Sequence, residues 1–534
     1  MHKKQWQAVC GFVVDGCESI SDSSRTMKDI FRIITEQRNS VLFRYEVNNR
    51  IVSVSREEFQ RRTVSVARKI QECVDSNHKM LGLHMKSGLE WAVVFWGILM
   101  SGHIPVILDE NKELFQYRNL PNAEGIYCIS KDKSIPLTID PDTILDSSFE
   151  VDASFFDSTW VDEVVFVVRD KNRSNKGIVY NGYAISEQAL RLKKVYKYNS
   201  SMLYPESFGK MRLMMGLSLS DFFGFVMGMV MYPCFGGEVF FGENLDEGIN
   251  ISKRCRDLSI THVCLDSKAC TSVTDLIKQR VNSDFPRYSK EFTEWASGNE
   301  RVNDFRILSK YTSISAKLKK EVFGGDIKCI YSADENPDDS SSQYLNRIGV
   351  FFSKGYCNAL AGLVAMELSP DSAYRTNNSV GVLLDGVTGK IDEDGCLVLT
   401  SSSYEQCGVF GSTDKLGSTV KIERRASIDM SGRVHFEKAL SRDDDAGDKT
   451  LNLELVSKLR NIYAEALNRP LEIIGENMDF FSELGGDSLT YFLLIQHIEV
   501  SFGISIKVED RKYLTTIKYA VETLKTYNLT EAKK

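Results

Sequence analysis

Asp479-Phe-Phe-Ser-Glu-Leu-Gly-Gly-Asp-Ser-Leu489 decides how the C-terminal part of this chain is read. Two glycines, an aspartate and a serine stand immediately before an apolar run, which places Ser488 on a tight turn opening a helix. Along that helix Tyr491, Ile495, Ile498 and Phe502 share one face, and Gly503 supplies the C-terminal stop. Upstream, Leu455, Leu459, Ile462 and Ala466 recur at helical spacing ahead of Pro470. Downstream, a further helix is predicted from Thr516 through Leu524. Short helices in such close succession make a small bundle. A negatively charged group on Ser488 would meet the free N–H groups and positive dipole end of its helix. Capping is the ordinary role of a serine so placed, and on spacing alone it is the better reading.

Working outward, the chain has 534 residues, too many for one ordinary core, so two to four domains are expected. With 43% hydrophobic and 26% charged residues it reads as globular. A net charge of −7 gives no reason to expect nucleic acid or an anionic membrane surface as a partner. The longest apolar run, Phe222 to Tyr232, is too short to span a membrane and leads into Pro233, Gly236 and Gly237. Met1-His-Lys-Lys-Gln-Trp6 has no long apolar stretch behind it, so no secretion signal is read and a cytoplasmic location is expected. The cysteines are scattered without a Cys-x-x-Cys pair, and no His-Glu-x-x-His helix occurs, so reduced core thiols and no metal site are expected.

The long region before the bundle mixes two textures. Val164-Val-Phe-Val-Val168, Val380-Gly-Val-Leu-Leu384 and Cys396-Leu-Val-Leu-Thr400 read as strands, while residues 57–73 and 90–100 read as helices, the second capped by Ser87. This alternation argues α/β architecture. Asp392-Glu-Asp-Gly395 and Asp429-Met-Ser-Gly432 read as turns between strands, so the region ends β-rich. Polar, aperiodic residues 441–450 read as a linker. The expected organisation is a lead segment 1–25, a large domain 26–440, the linker 441–450, a helical domain 451–528 and a tail 529–534.

The stretch around Ser488 resembles the Leu-Gly-Gly-Asp-Ser-Leu signature of peptidyl and acyl carrier domains, and the likeness extends over 451–526. The resemblance implies a four-helix carrier bundle with 4′-phosphopantetheine covalently attached to Ser488 by a phosphopantetheinyl transferase. Gly485, Gly486, Asp487 and Leu489 would frame the attachment point. Leu489, Phe492 and Leu493 lie off the inward stripe of the helix and would dock partner enzymes; the alternative is that some of them face the bundle core.

The large region resembles the N-terminal part of adenylate-forming enzymes: acyl-CoA synthetases, acyl-AMP ligases and peptide-synthetase adenylation domains. Met80-Leu-Gly-Leu-His-Met-Lys-Ser-Gly88, Gly102-His-Ile-Pro-Val-Ile-Leu-Asp109, Leu217-Ser-Leu-Ser-Asp-Phe-Phe-Gly-Phe225 and Lys390-Ile-Asp-Glu-Asp-Gly395 follow in the family's order. The motifs that handle nucleotide depart from it. Where the family has a glycine-rich phosphate loop, this chain reads Val168-Arg-Asp-Lys-Asn-Arg-Ser-Asn-Lys-Gly177, keeping only Lys176 and Gly177 of the pattern. Gly355-Tyr-Cys-Asn-Ala-Leu360 keeps Tyr356, which stacks on adenine in the family. It puts Ala359 and Leu360 where a phosphate-binding threonine and a magnesium-binding glutamate belong. Arg424 aligns with the ribose-binding aspartate. Asp221 aligns with an aspartate of peptide-synthetase substrate pockets, though a cap or turn is its ordinary role. No stretch corresponds to the small C-terminal subdomain that carries the catalytic lysine.

These departures predict an adenylation-like domain without catalytic residues, with neither ATP nor magnesium as a cofactor. The expected function is an acyl or aminoacyl carrier holding a thioester on its arm, loaded in trans by a separate enzyme and serving downstream assembly-line enzymes of peptide, polyketide or lipid synthesis. The large domain would be a docking platform. The alternative is an active ATP-dependent acid–thiol ligase that loads its own carrier.

Overall fold

The computed structural model describes residues 15–48, 50–74, 80–112, 114, 127–132, 137–145, 159–169, 175–191, 211–298, 304–333, 339–375, 378–410, 415–437, 444–524 and 527. They fall into two compact units, one ending at Glu437 and the other beginning beyond it.

In the first unit the valine-rich run extends over Glu163–Arg169 and pairs antiparallel with Asn175–Asn181. It also pairs in parallel with Ile104–Ile107, which lies beside Met80–Leu83 in a seven-stranded sheet. A nine-stranded sheet has a parallel centre built from Val41–Val47, Glu238–Phe241, Arg212–Met215, His262–Cys264, Cys329–Ala333 and Phe352–Asn358. Antiparallel strands close both of its edges. Parallel strands need both faces covered, and these runs are mostly buried, with Arg44 and Arg212 of neighbouring strands paired to Glu238. Helix Leu89–Met100 is apolar all round and buried at every position except Glu90. Its Phe95 packs on Phe225 with ring centroids 5.1 Å apart. A four-stranded antiparallel sheet of Thr388–Ile391, Cys396–Thr400, Thr419–Ile428 and Val434–Phe436 ends the unit, with the turns at Asp392 and Asp429 where the sequence places them. The unit is therefore an α/β domain with a β-rich end.

Some local expectations change. Helix Leu89–Met100 begins at Gly88 with no side-chain cap. The Ser87 hydroxyl donates to Glu110 Oε1 at 2.9 Å instead, and its oxygen accepts from the Leu219 N–H at 2.7 Å rather than from the first turn of the helix. Only Val382–Leu383 of the run Val380-Gly-Val-Leu-Leu384 is strand. The Val380 N–H bonds to the Val434 carbonyl, and Gly381 turns with φ +89°, so the run divides its pairing between two sheets. Residues 444–450, expected in the linker, are helical within Asp444–Leu467.

The second unit contains helices Asp444–Leu467, Ser488–Phe502, Val508–Arg511 and Ile517–Leu524. Leu455, Leu459, Ile462, Ala466, Ile495, Ile498 and Phe502 all enter its core, as their spacing predicts, together with Leu494 and Leu514. The buried Tyr463 hydroxyl donates to the Leu514 carbonyl at 2.6 Å, tying the first helix to the segment before the last. Among the described residues no helix is long and apolar enough to cross a membrane.

Candidate functional site

The approach to Ser488 is built by a chain of local hydrogen bonds. Asp479 Oδ1 accepts from the N–H groups of Phe481 and Ser482 at 3.1 and 2.9 Å and from the Ser482 hydroxyl at 3.0 Å. Partial burial pushes the Asp479 carboxyl up, but the Ser482 and Phe481 donors outweigh it and hold the group below its ordinary value. Phe480 then turns inward, fully buried, and its N–H reaches the Thr515 carbonyl at 2.7 Å.

The two glycines serve different needs. Gly485 has φ +69°, a conformation other residues adopt at a cost. Gly486 lies on the Phe480 ring, where a Cβ would stand 2.2 Å from Cε1. The exposed Arg469 guanidinium rests beside Gly485, with Nη2 2.9 Å from where a Cβ would be.

Asp487 is the helix cap. Its Oδ1 accepts from the N–H groups of Thr490 and Leu489 at 2.8 and 3.1 Å, and the Thr490 hydroxyl accepts from the Asp487 N–H at 2.8 Å. The Thr490 donors, followed by the Leu489 N–H, hold the Asp487 carboxyl below its ordinary value. Because Asp487 caps the helix, Ser488 does not. It is the first helical residue, exposed, with its hydroxyl unbonded among the described residues. This arrangement fits a phosphodiester, since the oxygen is accessible and no structural bond must break to modify it.

Leu489, Phe492 and Leu493 are 70%, 52% and 39% exposed and lie along one side of the helix, opposite the buried Leu494, Ile495 and Ile498. Phe481, not singled out by the sequence, is 40% exposed and packs on Tyr491 with ring centroids 4.8 Å apart. Its signal was the doubled phenylalanine, of which only one ring fits inside.

In the large unit, Lys176 and Gly177 lie in strand Asn175–Asn181, opposite Val168 and Val167. Gly177 is packed on Phe410, whose Cβ would be 2.5 Å from an added Cβ. Residues 170–174, which include Asp170, Lys171 and Arg173 of the loop, lie outside the described residues. Tyr356 is buried, and its ring lies against Phe436 with centroids 4.6 Å apart. Arg424 covers Phe436 with its guanidinium carbon 4.9 Å from the ring centre and donates to the Glu437 carbonyl at 2.8 Å. Ala359 and Leu360 pack against the core, and the Ala359 carbonyl accepts from the Tyr180 hydroxyl at 2.9 Å. Asp221 caps the helix Phe222–Phe225, accepting from the Gly224 N–H at 2.9 Å. Phe222 fills the space against Phe166 and Tyr180, both with centroids at 4.8 Å.

Residues 457–518 match the family model described as phosphopantetheine attachment site. An acyl carrier protein of Buchnera aphidicola subsp. Schizaphis graminum is 34% identical over 71 residues, which cover 13% of this chain and 90% of that protein. The large unit is similar in fold to the N-terminal subdomain of NpsA from Klebsiella oxytoca, with a TM-score of 0.54 and 11% identity, over 77% of this chain and 99% of that one. It is also similar to the adenylation domain of a keto acid-selecting NRPS module, with a TM-score of 0.58 and 10% identity, over 78% of this chain and 80% of that one. The prosthetic group of the chain is covalent 4′-phosphopantetheine, which implies a phosphopantetheinyl transferase and assembly-line enzymes as partners. The chain belongs, through its C-terminal domain, to the phosphopantetheine-attachment carrier family, and that carrier is fused to a domain with the adenylation fold.

Proposed function

We propose that Ser488 is the attachment residue, and that the protein is an acyl or aminoacyl carrier loaded in trans beside an inactive adenylation-like domain. In the attachment step the Ser488 oxygen forms a bond to the phosphorus of the pantetheine half of coenzyme A. The pyrophosphate bond breaks, adenosine 3′,5′-bisphosphate leaves, and the hydroxyl proton passes to solvent. Once attached, the arm supplies a thiol that holds the acyl group as a thioester. The chain's own contribution is a fixed, accessible oxygen and the apolar side of Leu489, Phe492 and Leu493, on which the transferase and loading enzyme dock.

The observation that carries inactivity is the covering of Tyr356 by Phe436 of its own chain. The ring that stacks on adenine in the family resemblance already has a protein partner. Ala359 and Leu360 offer no side-chain oxygen for magnesium or phosphate, and Phe222, next to the pocket-aligned Asp221, packs on Phe166 and Tyr180. Each lost preorganised donor costs about 10²–10³ in rate, so several such losses remove most of an enzyme's advantage. The coverage of 99% of an isolated N-terminal subdomain, against 80% of a whole adenylation domain, is what a missing small subdomain would give. The competing reading, an active ligase, draws on the retained Lys176, Gly177 and Tyr356.

Intact-mass spectrometry separates the two. The full chain, treated with a broad-specificity transferase and coenzyme A, is expected to gain one phosphopantetheine, and Ser488→Ala to gain none. Adding ATP, magnesium and a pool of acids is expected to give no second gain. An acid-sized, ATP-dependent increase would establish the ligase.

A further inference from the structure

The segment 475–488 leading to the modified helix carries Glu476, Asp479, Glu483 and Asp487 and contains no lysine or arginine. A phosphodiester on Ser488 adds a further anion beside Asp487, whose carboxyl is held ionised by Thr490 and Leu489. The helix N-terminus does little to offset this, because the N–H groups of Leu489 and Thr490 are already committed to Asp487 Oδ1. A donor must come from elsewhere.

Arg469 is placed to supply it. It follows the first helix of the carrier and lays its guanidinium against Gly485, three residues before Ser488. A three-residue span is at most about 11 Å even when extended, and this one turns at Gly485. The guanidinium is exposed and makes no hydrogen bond or ion pair among the described residues. Gly485 is what lets it approach, because any side chain there would occupy its place.

On the reading that Ser488 is the attachment residue, we propose that Arg469 is the phosphate-binding residue of the prosthetic arm. Its guanidinium donates to the phosphodiester oxygens and offsets the charge of Asp487. A planar fork matches two phosphate oxygens at once, a geometry an ammonium lacks. Arg469 thereby holds the root of the arm on the side of the Gly485 turn and leaves the apolar side of the helix open.

The test follows the phosphodiester ³¹P resonance of the full-length holo protein as sodium chloride is raised. In the wild type, salt is expected to move the resonance as the contact is screened. In Arg469→Gln the resonance should start at the wild-type high-salt position and stay there, with Arg469→Lys in between. The apo form of Arg469→Gln should melt with the wild type. Identical low-salt resonances in wild type and Arg469→Gln would overturn the proposal, as would early melting of the apo variant, which would make the guanidinium structural. Failure of the Ser488 reading looks different and removes the proposal with it: Ser488→Ala would then still gain the phosphopantetheine mass, or the wild type would gain neither mass nor a phosphorus signal.

Discussion

The Phe480 ring lies directly under Gly486, so close that a methyl group on that glycine would overlap it. Phe480 is fully buried and its backbone is tied to Thr515, so the ring has nowhere to retreat. Gly486→Ala is therefore expected to cost about 1–3 kcal/mol, typical of forced overpacking. Hydrogen exchange of the full chain should show the loss confined to the carrier, with faster exchange in helix Ser488–Phe502.

Acid should loosen the start of the same helix. Asp479 and Asp487 both have carboxyls held below the ordinary value of 3.8 in the folded protein. Their contribution is fully present above that value and is lost as pH falls through the lower folded one. Amide exchange at Leu489 and Thr490, corrected for intrinsic pH dependence, should accelerate below pH 3.8 in the wild type. In Asp487→Asn that pH dependence should be reduced at these two amides.

The apolar side of the helix should matter for modification and little for stability. Phe492→Asp places a charge on a residue already half in solvent, so the melting temperature should hardly change. If the side chain anchors the transferase, kcat/KM for loading should fall about tenfold, a common consequence of losing one interface anchor. Intact mass against time, on the full chain, measures it.

In the large domain, Arg56 is buried and has no carboxylate in contact among the described residues. It donates to the carbonyls of Ile34, Pro233 and Gly237 and to the Ser40 hydroxyl. Burial lowers its affinity for a proton, bringing its pKa to about 10. Arg56→Met keeps bulk but removes the donor from three carbonyls and a hydroxyl, for a loss of about 3–5 kcal/mol. Denaturant melts should show that loss in the large domain while the carrier still gains its phosphopantetheine.

The carrier was legible because its fold is local. Leu455, Leu459, Ile462 and Ala466 needed only a period of 3.6, and Gly503 ends its helix with φ +63° as a stop signal should. Ser87 misled because its preferred partner, Glu110, comes from another strand end and cannot be weighed from the neighbouring sequence. The covering of Tyr356 was equally hidden, since Phe436 reaches it through the pairing of the last sheet. Arg469 gave no motif. Its only trace was a lone base beside an acidic stretch, and its meaning depends on the glycine it rests against.

The anchoring of Phe480 to Thr515 and the capping of the helix by Asp487 also bear on reach. Both ends of the turn are fastened, so an arm on Ser488, the proposed attachment residue, would hang from a fixed pivot. A thiol at the end of a tether hung from one pivot can visit only a shell of positions around it. The assembly-line enzymes served by such an arm would each have to present an active centre on that same shell, in turn.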